Sequence, residues 1–213
     1  NVMAPWKINS LTFPFVLCTW LFLLATRYMT GLDGDELSKP TLDLAAASTQ
    51  LDMSFGSLAQ YWLKGIAQVF LIDSWVTGIF FLVGLLVCSR AAGIWAAVGS
   101  AISLVIAIAY GAPASSISSG LFGFSPVLTA IAIGCTFYSV NWRSAVWAVA
   151  ATIATVFVQA GMDALMMPFG IATLTGPFCI TTWLFLLPLY KMDKTAAPDH
   201  TSWVKDIENQ ENK

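Results

Sequence analysis

Six apolar runs, at residues 10–27, 74–89, 92–110, 121–139, 143–163 and 171–190, each approach the roughly 20 residues a helix needs to cross a bilayer. In hydrocarbon an unpaired backbone N–H or carbonyl finds no water, so only helices and closed barrels can span. Unbroken runs of this length, without strand-like alternation, predict an all-α membrane protein. Composition points the same way: 57% of the chain is hydrophobic and 10% charged, against about 25% charged in soluble domains. A net charge of −2 gives no basic field to hold a nucleic-acid backbone, so that class of partner is set aside. The single histidine, His200, lies in a polar tail, so no histidine metal site or Ser–His pair can form within the membrane; neither a cofactor nor a catalytic residue is expected. Cys18, Cys88, Cys135 and Cys179 stand in apolar runs without close-spaced partners and read as core or lipid-facing residues.

The remaining segments orient the spans. Residues 28–55 carry Asp33, Asp35, Glu36, Asp43 and Asp52 and read as an acidic aqueous loop; residues 192–213 read as a solvated tail. Arg90, Arg143, Lys191 and Lys194 fall on one side when spans are counted, and the positive-inside rule makes that side, and the tail, cytoplasmic. The acidic loop and the uncharged connections 112–119 and 165–170 then lie outside. The stretch SLAQYWLKGIAQVFL at 57–71 has helical periodicity but is too short to cross, which leaves an interfacial or a re-entrant helix; its amphipathic pattern alone favours the interfacial one. Asp73 is expected to cap the following helix, Asp163 to sit near the outer water, and Gly84, Gly93, Gly99 and Gly134 to mark close helix contacts.

One phrase occurs twice. LTFPFVLCTWLFLLA begins at Leu11 and LTGPFCITTWLFLLP begins 163 residues later at Leu174, with ten of fifteen positions identical. The second copy lies five spans after the first, and an odd offset turns it over in the membrane, as in an inverted repeat with a site between its halves. Two such units need roughly 330 residues. The chain is therefore expected to hold the last span of a first half (1–27) and a complete second half (56–191), with the rest upstream of residue 1. On that reading the 213-residue chain alone lacks one wall of a pore and does not conduct.

The motifs LTFPF (11–15), LTGPF (174–178), GIAQVFL (65–71) with SWVTG (74–78), and GLFGFSPVLTAIAIG (120–134), in this order and spacing, resemble the urea transporter family of membrane channels. The resemblance covers residues 10–190. It implies two inverted five-span halves, each with a re-entrant pore helix, in a homotrimer with one pore per subunit, and it favours the re-entrant option for 57–71.

Urea is flat and neutral, with four N–H donors and one carbonyl. Stripping its water without replacement costs on the order of 2–7 kcal/mol per polar group, so a pore must supply acceptors in a row between flat apolar walls. Gln68 offers a side-chain carbonyl, and carbonyls around Val69 at the end of a short helix lack intrahelical partners; a helix-to-helix bond is the other role open to such a glutamine. By resemblance, Gln68 and the neighbouring backbone oxygens form a ladder for urea nitrogens. Thr12 and Thr175 each stand two residues before a proline, where a hydroxyl ordinarily bonds a freed carbonyl. The resemblance and the inverted repeat instead place them on opposite walls of a central constriction. It likewise assigns Phe124 and Leu128, with Phe70 or Leu71, to the apolar slot. The chain departs from the family pattern at Ser125 and Asp73, where Asn is usual, and at Leu71, where Phe is common. The implied function is passive urea flux; channels for other small amides or ammonia, and a non-conducting membrane anchor or sensor, are the alternatives. Compact loops without external N-x-S/T sites suggest a bacterial inner membrane.

Overall fold

The computed structural model of the chain describes residues 9–29 and 50–187. Most of the acidic loop, Lys191 and Lys194, the end of the run 171–190 and the tail with His200 lie outside the described residues. Among those described there is no strand, and eight α-helices follow one another: α1 (Phe13–Tyr28), α2 (Phe55–Ala67), α3 (Trp75–Cys88), α4 (Arg90–Ala109), α5 (Ala114–Ser118), α6 (Phe124–Ile131), α7 (Trp142–Met166) and α8 (Gly176–Leu186).

Helix starts are written in the sequence as short polar residues. The side chains of Ser54, Ser74 and Ser89 accept from the N–H groups of Ser57, Thr77 and Ala92, and Asn141 with Ser144 forms a reciprocal capping box on α7. Asp73 does not cap α3, as the sequence predicts; the cap falls one residue later, on Ser74.

α4 and the helix that runs from Trp142 through a 3-10 turn to Phe169 are long and apolar enough to cross a membrane unbroken. The other apolar runs are interrupted. α2 and α3 meet at a bend of 71°, the geometry of a broken span or a re-entrant loop. The expected span 121–139 is the eight-residue α6 followed by a π-helical turn, Ala132–Thr136, in which the Phe137 N–H reaches back five residues to the Ala132 carbonyl at 2.8 Å. Gly134 in that turn lies flat against the Trp95 ring, where a Cβ would collide. The run 171–190 begins with an extended lead-in, and α8 starts only at Gly176.

The core follows from small residues. α4 buries Gly93, Ala96, Gly99, Ser100, Ser103 and Ala107 along one stripe, and a Cβ on Gly99 would stand 2.8 Å from the Ala130 Cβ and 3.1 Å from the Pro126 carbonyl of α6. Close approach replaces the hydrophobic force that is missing between helices in lipid. Gly84 is different: it faces open space and makes no such contact. Phe22, Phe80 and Val87 are more than 70% exposed, which suits a hydrocarbon surround and not water.

Candidate functional site

The repeated phrase has the same backbone twice. Leu11 and Leu174 both adopt the left-handed conformation, at φ 50° and 52°. A branched side chain there costs roughly 1–2 kcal/mol, so such residues persist where their surroundings enforce them. Thr12 and Thr175 follow as the N-cap residues of α1 and α8, and Pro14 and Pro177 occupy each first turn. The two helices start beside one another. Trp20 donates its indole N–H to the Ala172 carbonyl at 3.0 Å, and Trp183 donates to the Asn9 carbonyl at 2.9 Å. Trp20 and Trp183 are 163 residues apart, as are Asn9 and Ala172, so each copy holds the lead-in of the other through equivalent atoms.

Where these lead-ins meet, the Thr12 and Thr175 hydroxyls stand 2.7 Å apart and share a hydrogen bond. The sequence places them on opposite walls. In the structure the two hydroxyls are in contact and offer one joint polar edge. The Cys179 thiol lies 3.4 Å from the Thr12 hydroxyl, buried behind it. Neither threonine caps its own helix through its side chain. Among the described residues no acceptor answers the N–H of Phe15 or of Phe178 in the first turns. Two helix N-termini, each equivalent to roughly half a positive charge, therefore converge on one point. Within the LTxPF motif the copies differ at one position. Phe13 sets its ring edge-on to Trp183 at 4.9 Å, while its counterpart Gly176 leaves room for Trp20 and Met162.

The second part of the site is the tip between α2 and α3. α2 ends in a single 3-10 turn, Gln68–Phe70, closed by Leu71 in the left-handed conformation at φ 57°. The Leu71 N–H takes the Gln68 carbonyl at 2.9 Å, and Ser74 N–H takes that of Ile72 at 3.0 Å. The carbonyls of Val69, Phe70 and Leu71, between them, answer no N–H among the described residues. Gln68 is buried and donates its amide to the Ser119 carbonyl at 2.7 Å, so its side-chain oxygen is held by a bond from its own donor end. Phe70 stacks on Phe81 of α3 at 4.3 Å, and Val69 packs against the buried cluster of Ile66, Ala96 and Val127. Lys64 on α2 reaches Asp73 at 2.7 Å, an ion pair that closes the base of the tip.

Helix α6 backs both parts. Its start crosses α2 so closely that Gly65 and Gly123 meet backbone to backbone, with the Ser100 hydroxyl against Gly65. Phe124 is buried, and Leu128 packs in the cluster that holds Leu11, Phe13, Phe178 and Cys179. Leu128 is thus brought beside the threonine junction, whereas Phe70 spends a ring face on Phe81. Ser125 is wholly buried with an unpartnered hydroxyl. The carbonyl one turn before it, Leu121, already receives the Gln159 amide at 2.7 Å. The sequence assigns no site role to Ser119, Cys179 or Lys64: Cys179 reads there as a core or lipid-facing residue, and Ser119 and Lys64 carry no local signal of a partner.

An apolar helical bundle in which two short helices begin head to head, near a bent helix pair with unanswered carbonyls, has the architecture of a membrane transport protein. Comparison with known proteins makes this specific. The family model described as "Urea transporter" matches residues 1–190. Urea transporter 1 of sheep is 31% identical over 188 residues, which cover 88% of this chain and 48% of the sheep protein. The rat protein of the same name is 30% identical over 187 residues, 88% of this chain and 48% of its own length. The chain belongs to the urea transporter family, whose description is that of a transporter and not an enzyme. It spans about half the length of the curated relatives it matches.

Proposed function

We propose that the protein carrying this chain is a passive membrane channel for urea. The observation that carries the reading is the α2–α3 tip, where the consecutive carbonyls of Val69, Phe70 and Leu71 are left without donors beside an oriented Gln68. Urea brings four N–H groups and needs acceptors in succession as its water is removed; unanswered carbonyls meet that need at no cost of breaking existing bonds. The family resemblance assigns Phe124 and Leu128, with Phe70 or Leu71, to the flat apolar wall that admits a planar solute. The Thr12–Thr175 edge offers hydroxyls to the urea carbonyl or its N–H groups. The two N-termini behind that edge disfavour cations, so a neutral solute passes where ammonium or guanidinium is repelled.

The matched backbone of the two LTxPF copies supports the inverted-repeat reading, in which residues 1–27 close one half and residues 56–191 form the other. The re-entrant role of 57–71 and assembly as a homotrimer in a cell membrane rest on the same resemblance. Stopped-flow osmotic measurements on vesicles holding the gene product that carries this sequence test the proposal, with urea, acetamide and ammonia as solutes. Urea permeability well above empty vesicles is expected. Permeability no higher than in empty vesicles overturns it, and faster passage of acetamide or ammonia assigns the channel to those solutes instead.

A further inference from the structure

We infer that the Lys64–Asp73 ion pair is a clamp that positions the acceptor tip, and that its loss degrades selectivity as well as rate. The inference deepens the urea-channel reading and rests on it. Lys64 lies in the last turn of α2, and Asp73 immediately precedes the Ser74 cap of α3. All the unanswered carbonyls lie between these two charges, so a 2.7 Å contact ties together the two ends of the segment that carries them. That segment has reason to relax. Leu71 holds a left-handed conformation unfavourable for a branched residue, and from Leu71 to the Ser74 cap the backbone N–H groups make only the Leu71-to-Gln68 and Ser74-to-Ile72 bonds among the described residues.

Charge placement favours the pair in this direction. An ammonium in the last turn of α2 complements the negative end of that helix. It also stands one turn before Gln68 on the same face, the turn that leads into the acceptors. The Asp73 side chain makes no other hydrogen bond or ion pair among the described residues, and the α3 cap is complete without it. Its carboxylate has no part in starting the helix. What it does is hold Lys64. The side chains are 21% and 52% exposed, so the pair sits at the edge of the fold and not in its packing core.

The test uses the gene product that carries this sequence, reconstituted in vesicles, with the amount of assembled channel measured in each sample. Lys64→Met and Asp73→Leu are each expected to lower urea flux per channel by about two- to fivefold, the scale of a partly exposed ion pair. Each should also raise thiourea passage relative to urea, because a loosened tip admits the larger solute. The double variant should be no worse than either single one, and Lys64→Arg should restore both flux and ratio. A structural role alone would lower all solutes together with channel number and leave the ratio unchanged; that outcome, or additive losses, overturns the clamp. Hydrogen exchange at the amides of residues 69–73 is expected to rise in Lys64→Met, and in the milder Asp73→Asn should the former not assemble. Unchanged exchange refutes the clamp whether or not urea passes. Wild-type vesicles that do not pass urea refute the channel reading separately.

Discussion

The contact between Thr12 and Thr175 can be tested by a double-mutant cycle, because valine keeps the shape of threonine while removing its hydroxyl. The two oxygens are 2.7 Å apart and share one proton in one hydrogen bond. A neutral bond of this kind has a net value of about 0.5–1.5 kcal/mol, and 1.4 kcal/mol is a factor of ten in rate. If the paired hydroxyls are the polar edge that urea meets, Thr175→Val should lower urea permeability about two- to tenfold. Thr12→Val should cost slightly more, since it also removes the 3.4 Å contact with Cys179. Either substitution breaks the pair, so the double variant should lose little beyond the worse single one. Contacting residues typically couple by about 0.5–3 kcal/mol in this way. The assay is stopped-flow light scattering under a urea gradient, normalised to assembled protein. Losses that multiply would show two independent sites, and unchanged flux in both single variants would remove the junction from the path of the solute.

Other consequences are more local. Trp20→Phe and Trp183→Phe each delete one indole bond to a carbonyl and should each destabilise by about 1 kcal/mol in detergent unfolding, Trp183→Phe somewhat more because Phe13 also packs on that ring. Gly78→Ala drives a Cβ into the Leu63 backbone carbonyl, which cannot turn aside; a loss of about 1–3 kcal/mol is expected, whereas Gly84→Ala should be close to neutral. Ser125→Ala should cost nothing or stabilise, since it removes a buried hydroxyl without a partner. At the start of α2, hydrogen bonds from the Ser57 side chain, then from the Ser54 backbone and side chain, hold the Asp52 carboxyl below its ordinary value. That contribution is present above about pH 4 and is lost as pH falls through the lowered pKa. Asp52→Asn at pH 6 should reproduce the acid form, with faster exchange of the Ser57 and Leu58 amides.

What could be read from the sequence is what hydrocarbon enforces residue by residue. Apolar runs predict helices that the structure has at every expected place within the described residues, whereas the one expected cap, Asp73, falls a residue short of the Ser74 that starts α3. Six full spans were harder to justify, because a run of apolar residues does not say where a helix breaks. The breaks at Leu11, Leu71 and Leu174 put left-handed backbone on leucine, a residue with no local preference for it. Only the packing around them explains that choice. The repeated LTxPF phrase was the one outward sign: it picked out Thr12 and Thr175, but not that their hydroxyls would touch, since contact depends on two tryptophans each reaching across to the other copy. The same limit applies to Lys64 and Asp73. A lysine and an aspartate nine positions apart carry no pairing signal until a 71° bend turns one helix toward the other. The residues proposed to accept a solute's hydrogen bonds are thus those the family resemblance implies, while those proposed to hold them in place emerge only from the bend. If that division is general in this fold, substitutions that spare every pore-facing group but alter the bend should change selectivity first.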